Sequence, residues 1–135
     1  MKEITVEARS ENVSLVTEFV EEQLECMDCP MKIQMKMGIA IDELFSNIAL
    51  YAYPSGNGNV TVKVEKQEEP AAVKITFIDR GVPYDPLKKE DPDVTLSAEK
   101  REIGGLGIYL VKKTMDDISY EYKGGKNILS ILKLL

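Results

Sequence analysis

Apolar residues alternate with polar residues in five stretches of the chain, and this period of two predicts β-strands. The first strand lies around Ile4, the next two form a pair around Val62 and Ile75, and the last two lie around Tyr120 and over residues 128–135. A polar Q-E-E-P segment connects the second strand to the third, and two consecutive glycines connect the fourth to the fifth. These short connections indicate that consecutive strands pair with each other.

Apolar residues recur at helical spacing over residues 13–24, 33–48 and 108–115, which predicts three helices. Ser10 stands where the N-cap of the first helix is expected. The second helix should stop before the turn at 53–58, because a proline disfavours helical backbone in the residue before it. The predicted order is therefore β-α-α-β-β-α-β-β.

Residues 80–103 are rich in proline and charge and lack an apolar period. So long a connection inside a compact domain is typical of a functional lid or of a disordered segment. Helices and strands do not alternate strictly, which argues against a doubly wound parallel sheet. We expect an α+β fold in a single domain over residues 1–135, with a mixed, mostly antiparallel sheet and helices on one face.

Composition excludes several classes of function. The chain has no histidine, so it contains no Ser-His-Asp nucleophile, imidazole metal ligand or phosphohistidine relay. A net charge of −6 argues against general nucleic-acid binding and against binding to anionic membranes. The N-terminus does not look like a signal peptide, and no apolar run is long enough to span a membrane, so a cytoplasmic protein is expected.

Two smaller features leave alternatives open. Cys26 and Cys29 form a C-M-D-C motif between two predicted helices, where reduced structural cysteines are favoured over a redox pair. Met35, Met37 and Tyr53 form either part of the core or an exposed interface, and the core is favoured.

Glu43 and Asn47 are four residues apart in the second predicted helix, so both side chains project from the same face. Leu44 and Ile48 belong to the apolar stripe, which puts the polar pair at the edge of the core. An asparagine oxygen is a hard ligand suited to Mg²⁺, and a glutamate can take a proton from a hydroxyl or water. The simpler interpretation is a solvated surface pair.

Two further motifs are candidates for ligand binding. Asp79-Arg80-Gly81 follows the third strand, where a carboxylate can accept the amino group of adenine, although D-x-G turns are common. The glycines of residues 104–107 open the third helix, whose exposed N–H groups and dipole attract anions. The loop is neither a Rossmann fingerprint nor a P-loop, since no strand feeds it directly and no G-x-x-x-x-G-K-[ST] occurs.

Taken in order, E-x-x-x-N, D-x-G, a charged segment and G-x-G at a helix start resemble the GHKL ATP-binding superfamily. The runs D-R-G-V-P-Y-D-P and G-G-L-G-I-Y-L-V-K-K-T-M-D resemble its bacterial anti-sigma factor serine/threonine kinases most. The resemblance covers essentially the whole chain. It implies the Bergerat-type ATP-binding fold, a two-layer α/β sandwich, with ATP and Mg²⁺ as cofactors.

The resemblance also implies a role for each motif residue. Glu43 matches the catalytic, base-like glutamate of the family, and Asn47 matches its Mg²⁺-binding asparagine. Asp79 matches the aspartate that recognises adenine, with Gly81 beside it.

Three consecutive residues match the phosphate loop: Gly105, Leu106 and Gly107. Residues 82–103 match the ATP lid, in which Arg101 would reach a phosphate. Tyr51 stands where the family often has a histidine, a departure that affects partner contacts and catalytic rate rather than ATP binding.

The function that the resemblance implies is an ATP-dependent protein-serine/threonine kinase acting as an anti-sigma regulatory factor. Its partners would be a sigma factor, which it sequesters, and a STAS-domain antagonist, whose serine it phosphorylates; related kinases are commonly homodimers. The lack of an acceptor histidine excludes a self-sufficient sensor histidine kinase, which could act only in trans. Gyrase-type, mismatch-repair or chaperone-type ATPases need a second domain to complete their site, which 135 residues are not expected to supply. A non-enzymatic, ATP-regulated binding module that switches a protein partner needs the same pocket and stays open as the alternative.

Overall fold

The computed structural model describes residues 1–54, 56–88 and 105–135, which form a five-stranded sheet and three α-helices. The strands are β1 (Lys2–Glu7), β2 (Asn59–Glu68), β3 (Ala71–Asp79), β4 (Asp117–Lys123) and β5 (Lys126–Leu134). The helices are α1 (Val13–Cys26), α2 (Met31–Tyr51) and α3 (Gly105–Thr114). The predicted order of strands and helices is confirmed.

The strands lie in the order β1-β2-β3-β5-β4, and all four pairings between them are antiparallel. The sequence predicted a mixed, mostly antiparallel sheet, whereas the described strands contain no parallel pair. Hairpins join β2 to β3 and β4 to β5, and α1 and α2 connect the antiparallel neighbours β1 and β2. The connection through α3 leads into β4 in the same direction as β3, because both strands are antiparallel to β5. In this order β3 is the central strand, and it lies between β2 and β5.

One face of the sheet carries the core. Val60, Val62 and Val64 alternate along β2 and are fully buried on this face, each burial contributing roughly 1.5–3 kcal/mol. The other face is more polar: the hydroxyl oxygens of Thr76 and Ser130 lie 3.1 Å apart across β3 and β5. The alternation along the strands thus separates a packed face from one that meets water.

All three helices contribute to the single core on the apolar face. Their buried residues include Val16, Val20 and Leu24 of α1, Met37, Ile41, Leu44 and Phe45 of α2, and Ile108 and Val111 of α3. The α+β class with helices on one face is therefore confirmed. In the described part of the chain, no helix has the length and apolar character that a membrane span would require.

Two local predictions are wrong. Ser10 does not cap α1, because it lies in a short 3-10 turn that precedes the helix. Met37 is in the core and Tyr53 packs partly buried against it, as expected, but Met35 is 64% exposed. Residues two apart on a helix differ in direction by about 200°, so Met35 and Met37 must face opposite sides.

Candidate functional site

Asp79 is the last residue of β3 and is 4% exposed. Its register partners are Val60 on β2 and Asn127 on β5, so it lies at the end of the central strand rather than at an edge of the sheet. A buried charged group is tolerated only when it is hydrogen-bonded or paired. The hydrogen bonds of the carboxylate therefore decide whether it is structural or available to a ligand.

The two oxygens of Asp79 have different surroundings. Oδ1 accepts hydrogen bonds from the N–H of Gly81 at 2.8 Å and from Nδ2 of Asn127 at 2.9 Å. Oδ2 accepts none from the residues that the structure describes. In the same part of the chain no buried side-chain oxygen lacks a partner, so Oδ2 faces open space. One oxygen holds the carboxylate in place, and the other is available to a ligand.

Asn127 is a site residue that the sequence analysis missed. Its Nδ2 also donates to the carbonyl of Val82 at 2.9 Å, and its Oδ1 accepts from the N–H of Tyr84 at 3.2 Å and from the hydroxyl of Tyr120. The amide thus ties the loop after β3 to β4 and β5. One signal was present in the sequence: Asn127 occupies the inward position of an alternation that continues with Leu129.

A narrow cavity lies beside Asp79. Leu44 and Leu129 supply apolar wall, and Asn47, Asp79 and Asn127 supply polar groups. An apolar cavity with a few convergent polar groups is typical of small-molecule sites. The cavity brings together Asn47 and Asp79, which belong to two separate motifs of the sequence.

Glu43 and Asn47 form a partly buried pair on α2. Nδ2 of Asn47 donates to Oε1 of Glu43 at 3.4 Å. This bond uses the amide nitrogen, and Oδ1 of Asn47 accepts no hydrogen bond within the described residues. Because Asn47 also lines the cavity, the pair is not a solvated surface pair.

Glu43 lies against the first turn of α3. A Cβ at Gly107 would overlap the carboxyl group of Glu43, so a larger residue at this position would displace that carboxyl group. The first N–H groups of a helix have no partner within the helix, and together with the helix dipole they attract negative charge. The carboxylate of Glu43 is thus placed beside an end of a helix that favours anions.

Gly81 lets the loop after β3 lie against the end of α2. A Cβ at Gly81 would overlap the backbone carbonyl of Ala52, the residue that follows α2. The next N–H along the loop, that of Val82, donates to the same carbonyl at 2.8 Å. This close approach of two backbones fixes Asp79 relative to the helix that carries Asn47.

Residues 82–88, the described part of the predicted lid, cover the cavity. Pro86 is buried in the wall, and the ring of Tyr84 packs against the ring of Tyr51 with centroids 5.3 Å apart. Burial raises the pKa of Tyr84, and the neighbouring Tyr51 and Glu43 raise that pKa further. Tyr51, the last residue of α2, therefore packs against the segment that covers the cavity.

The structure describes only some of the other predicted site residues. Gly105 and Leu106 precede Gly107 in the first turn of α3. Residues 89–103 of the predicted lid, and Arg101 with them, lie outside the described residues. The side chains that the structure brings together around the cavity and the start of α3 are those of Glu43, Asn47, Asp79 and Asn127.

The residues present fit an adenine nucleotide and a magnesium ion. A carboxylate oxygen that faces an apolar cavity can accept a hydrogen bond from an amino group such as that of adenine. Oδ1 of Asn47 is a hard oxygen ligand of the kind that Mg²⁺ takes beside substrate phosphates. The N-terminus of α3 is a favourable position for phosphate. The fold and the site together define a nucleotide-binding domain.

The chain belongs to the histidine kinase-like ATPase domain family, whose model matches residues 6–133. Membership implies ATP binding and confirms the resemblance to the GHKL superfamily that the motifs suggested.

The most similar relatives found include several protein kinases. The serine/threonine-protein kinase BtrW of Bordetella bronchiseptica is 25% identical over 103 residues, which is 74% of this chain and 70% of that protein. The serine-protein kinase RsbW of Bacillus cereus strain ATCC 10987 / NRS 248 is 33% identical over 97 residues, or 69% of this chain and 59% of that protein. RsbW of Bacillus mycoides is 29% identical over 131 residues, which is 94% of this chain and 81% of that protein.

The match therefore spans about three fifths of the Bacillus cereus relative. These relatives confirm the predicted resemblance to the serine/threonine kinase branch of the superfamily.

Proposed function

We propose that this protein is an ATP-dependent protein-serine/threonine kinase that acts as an anti-sigma regulatory factor. The observation that carries the proposal is the contact between the carboxyl group of Glu43 and the first turn of α3, together with the hydrogen bond from Asn47 to Glu43. A carboxylate here lies beside the expected phosphate position rather than in the adenine cavity. The similarity to proteins named serine-protein kinase supports the same activity.

Adenine recognition is assigned to Asp79. Its Oδ2 accepts the amino group of adenine, while the bonds from Gly81 and Asn127 to Oδ1 hold the carboxylate in position. Guanine would present a carbonyl oxygen to the same carboxylate, and two acceptors repel. The side chains of Leu44 and Leu129 provide apolar surface for the base. The site should therefore prefer ATP to GTP.

Phosphate binding is assigned to the start of α3. The backbone of Gly105, Leu106 and Gly107 offers N–H groups at the positive end of the helix dipole. Oδ1 of Asn47 would hold Mg²⁺, which neutralises charge on the phosphates. Residues 82–103 are assigned as the ATP lid, with Arg101 directed to a phosphate.

Glu43 is assigned as the base. It accepts the proton of a serine hydroxyl as that oxygen forms a bond to the γ-phosphorus of ATP. The bond from the γ-phosphorus to the bridging oxygen breaks, and ADP leaves with the electron pair. The products are phosphoserine and ADP, and the proton stays on Glu43 until solvent removes it.

The partners proposed are a STAS-domain antagonist, which carries the serine, and a sigma factor, which the kinase sequesters in the cytoplasm. The test incubates the protein with Mg-ATP and a STAS-domain protein, ideally one encoded beside its gene, and detects phosphoserine by mass spectrometry. Phosphoserine that requires both ATP and Mg²⁺ is expected. ATP-dependent binding of the partner without phosphoserine would contradict the kinase and favour the non-enzymatic binding module.

A further inference from the structure

We propose that the groove between α1 and α2 is a docking surface for a basic amphipathic helix of another protein. This groove is lined by Glu21 and Glu25 of α1 and by Met31, Met35, Ile39 and Asp42 of α2. It shares no lining residue with the cavity beside Asp79. The docking surface is therefore distinct from the cavity of the nucleotide site.

The floor of the groove is an exposed apolar stripe. Met31, Met35 and Ile39 are spaced four residues apart on α2 and are 64%, 64% and 61% exposed. Single exposed apolar residues are common, but a continuous stripe on one helix face is typical of an interaction site. Methionine side chains are flexible and adapt to a partner. Since α2 already contributes a full stripe to the core on its other side, these residues are not needed for packing within the chain.

Gly38 gives an independent reason to assign the floor of the groove to a partner. It lies in the middle of α2, where glycine is the poorest helix former except proline. A Cβ at this position would meet nothing within 4 Å, and the backbone does not have a positive φ, so the chain itself does not require glycine here. Glycine is the residue that lets a second chain approach the backbone closely.

The charge of the groove selects the partner. Glu21 and Glu25 line one wall and Asp42 lies on the other, and none of the described lining residues is basic. In a twofold contact between two copies, each groove would face the same acidic groove, which disfavours a second copy as the occupant. A helix with apolar residues on one face and lysine or arginine beside them matches both the stripe and the charge.

The test uses a fluorescent amphipathic peptide of about 18 residues, long enough to populate a helix, with leucine on one face and lysine on the other. The full chain is titrated into the peptide at about 0.15 M salt, and a peptide with glutamate in place of lysine is the control. We expect micromolar binding of the basic peptide only. Gly38→Gln should weaken it at least tenfold while raising Tm by a few degrees, since the variant improves the helix and obstructs the groove.

A matched pair of charge reversals separates docking from general attraction. Glu21→Lys should weaken binding about tenfold, whereas Glu22→Lys, at an exposed position outside the groove, should change it less than about threefold. Equal effects of the two reversals would mean attraction to the net charge of −6 and would overturn the proposal. Unchanged binding by Gly38→Gln would also overturn it. So would a dimer, seen by sedimentation, that Gly38→Gln dissociates, because the groove would then belong to a second copy.

Discussion

Asn127→Asp keeps the shape of a buried side chain and converts its donating amide into a carboxyl group. In the native protein, Nδ2 of Asn127 donates to Oδ1 of Asp79 at 2.9 Å and to the carbonyl of Val82 at 2.9 Å. The variant would bring two carboxylates together where both residues are at least 95% buried. Two charges at that distance repel by about 6 kcal/mol at an effective dielectric constant of 20. One carboxyl group therefore takes up a proton instead.

The cost of that proton sets the expected loss of stability. Keeping a carboxyl group of ordinary pKa near 4 protonated costs about 1.4 kcal/mol per pH unit, or about 4 kcal/mol at pH 7. The lost hydrogen bond to Val82 adds about 1 kcal/mol. We expect Asn127→Asp to lower the free energy of unfolding by about 5 kcal/mol at pH 7 and by about 2 kcal/mol at pH 5.

The sign of the pH dependence follows from proton binding. The pKa of the shared proton is raised in the folded protein, so between pH 4 and 7 the folded state of the variant binds one proton more than the unfolded state. Its stability relative to the native protein therefore falls as the pH rises and recovers as the pH falls.

Urea unfolding at pH 5, 6 and 7, followed by circular dichroism, measures this loss. Ser130→Asp is the control, because Ser130 lies on the same strand but faces the more open side of the sheet and should add no comparable pH dependence. A loss below about 1 kcal/mol at pH 7, or an equal loss at pH 5 and 7, would refute the buried hydrogen-bond network around Asp79.

Three further predictions concern nucleotide binding and phosphotransfer. Asp79→Asn should weaken ATP binding at least tenfold in calorimetry, because the amide presents a donor to the adenine amine. Equal affinity of the native protein for ATP and GTP would contradict the role of Asp79. Gly107→Ala should reduce phosphotransfer by roughly 10²-fold with little change in the free energy of unfolding, because its Cβ displaces the flexible carboxyl end of Glu43, whereas Gly56→Ala, with open space around it, should leave phosphotransfer unchanged. Mg-ATP should slow amide hydrogen exchange in residues 89–103, and unchanged exchange there would contradict the lid assignment.

Much of the fold follows from local patterns. Alternation around Val62, Ile75 and Tyr120 predicted strands correctly because a half-buried strand must present its apolar residues to one side. The helix α2 ends at Tyr51, before the turn at 53–58, as expected because Pro54 disfavours helical backbone in the residue before it. The opposite placement of Met35 and Met37 also follows from helix geometry, although the sequence analysis grouped them.

The hydrogen-bond network of the site did not follow from local patterns. Asn127 joins Asp79, 48 positions earlier, and Val82, 45 positions earlier. Those contacts depend on the register of β3 with β5, which spacing along the chain does not reveal. The position of Glu43 against Gly107 likewise depends on how α2 packs beside α3.

Glu43→Gln tests the kinase proposal most directly. The pair of measurements is ATP affinity by calorimetry and the rate of phosphoserine formation on a STAS-domain partner, with Glu22→Gln on the surface of α1 as the control. Because Glu43 lies beside the start of α3 and outside the adenine cavity, ATP affinity should stay within a few-fold of native, while the rate should fall by roughly 10²–10⁴, the usual contribution of a positioned general base. The control should change neither quantity. A native rate in Glu43→Gln, or a loss of ATP affinity as large as the loss of rate, would contradict the assignment of Glu43 as the base.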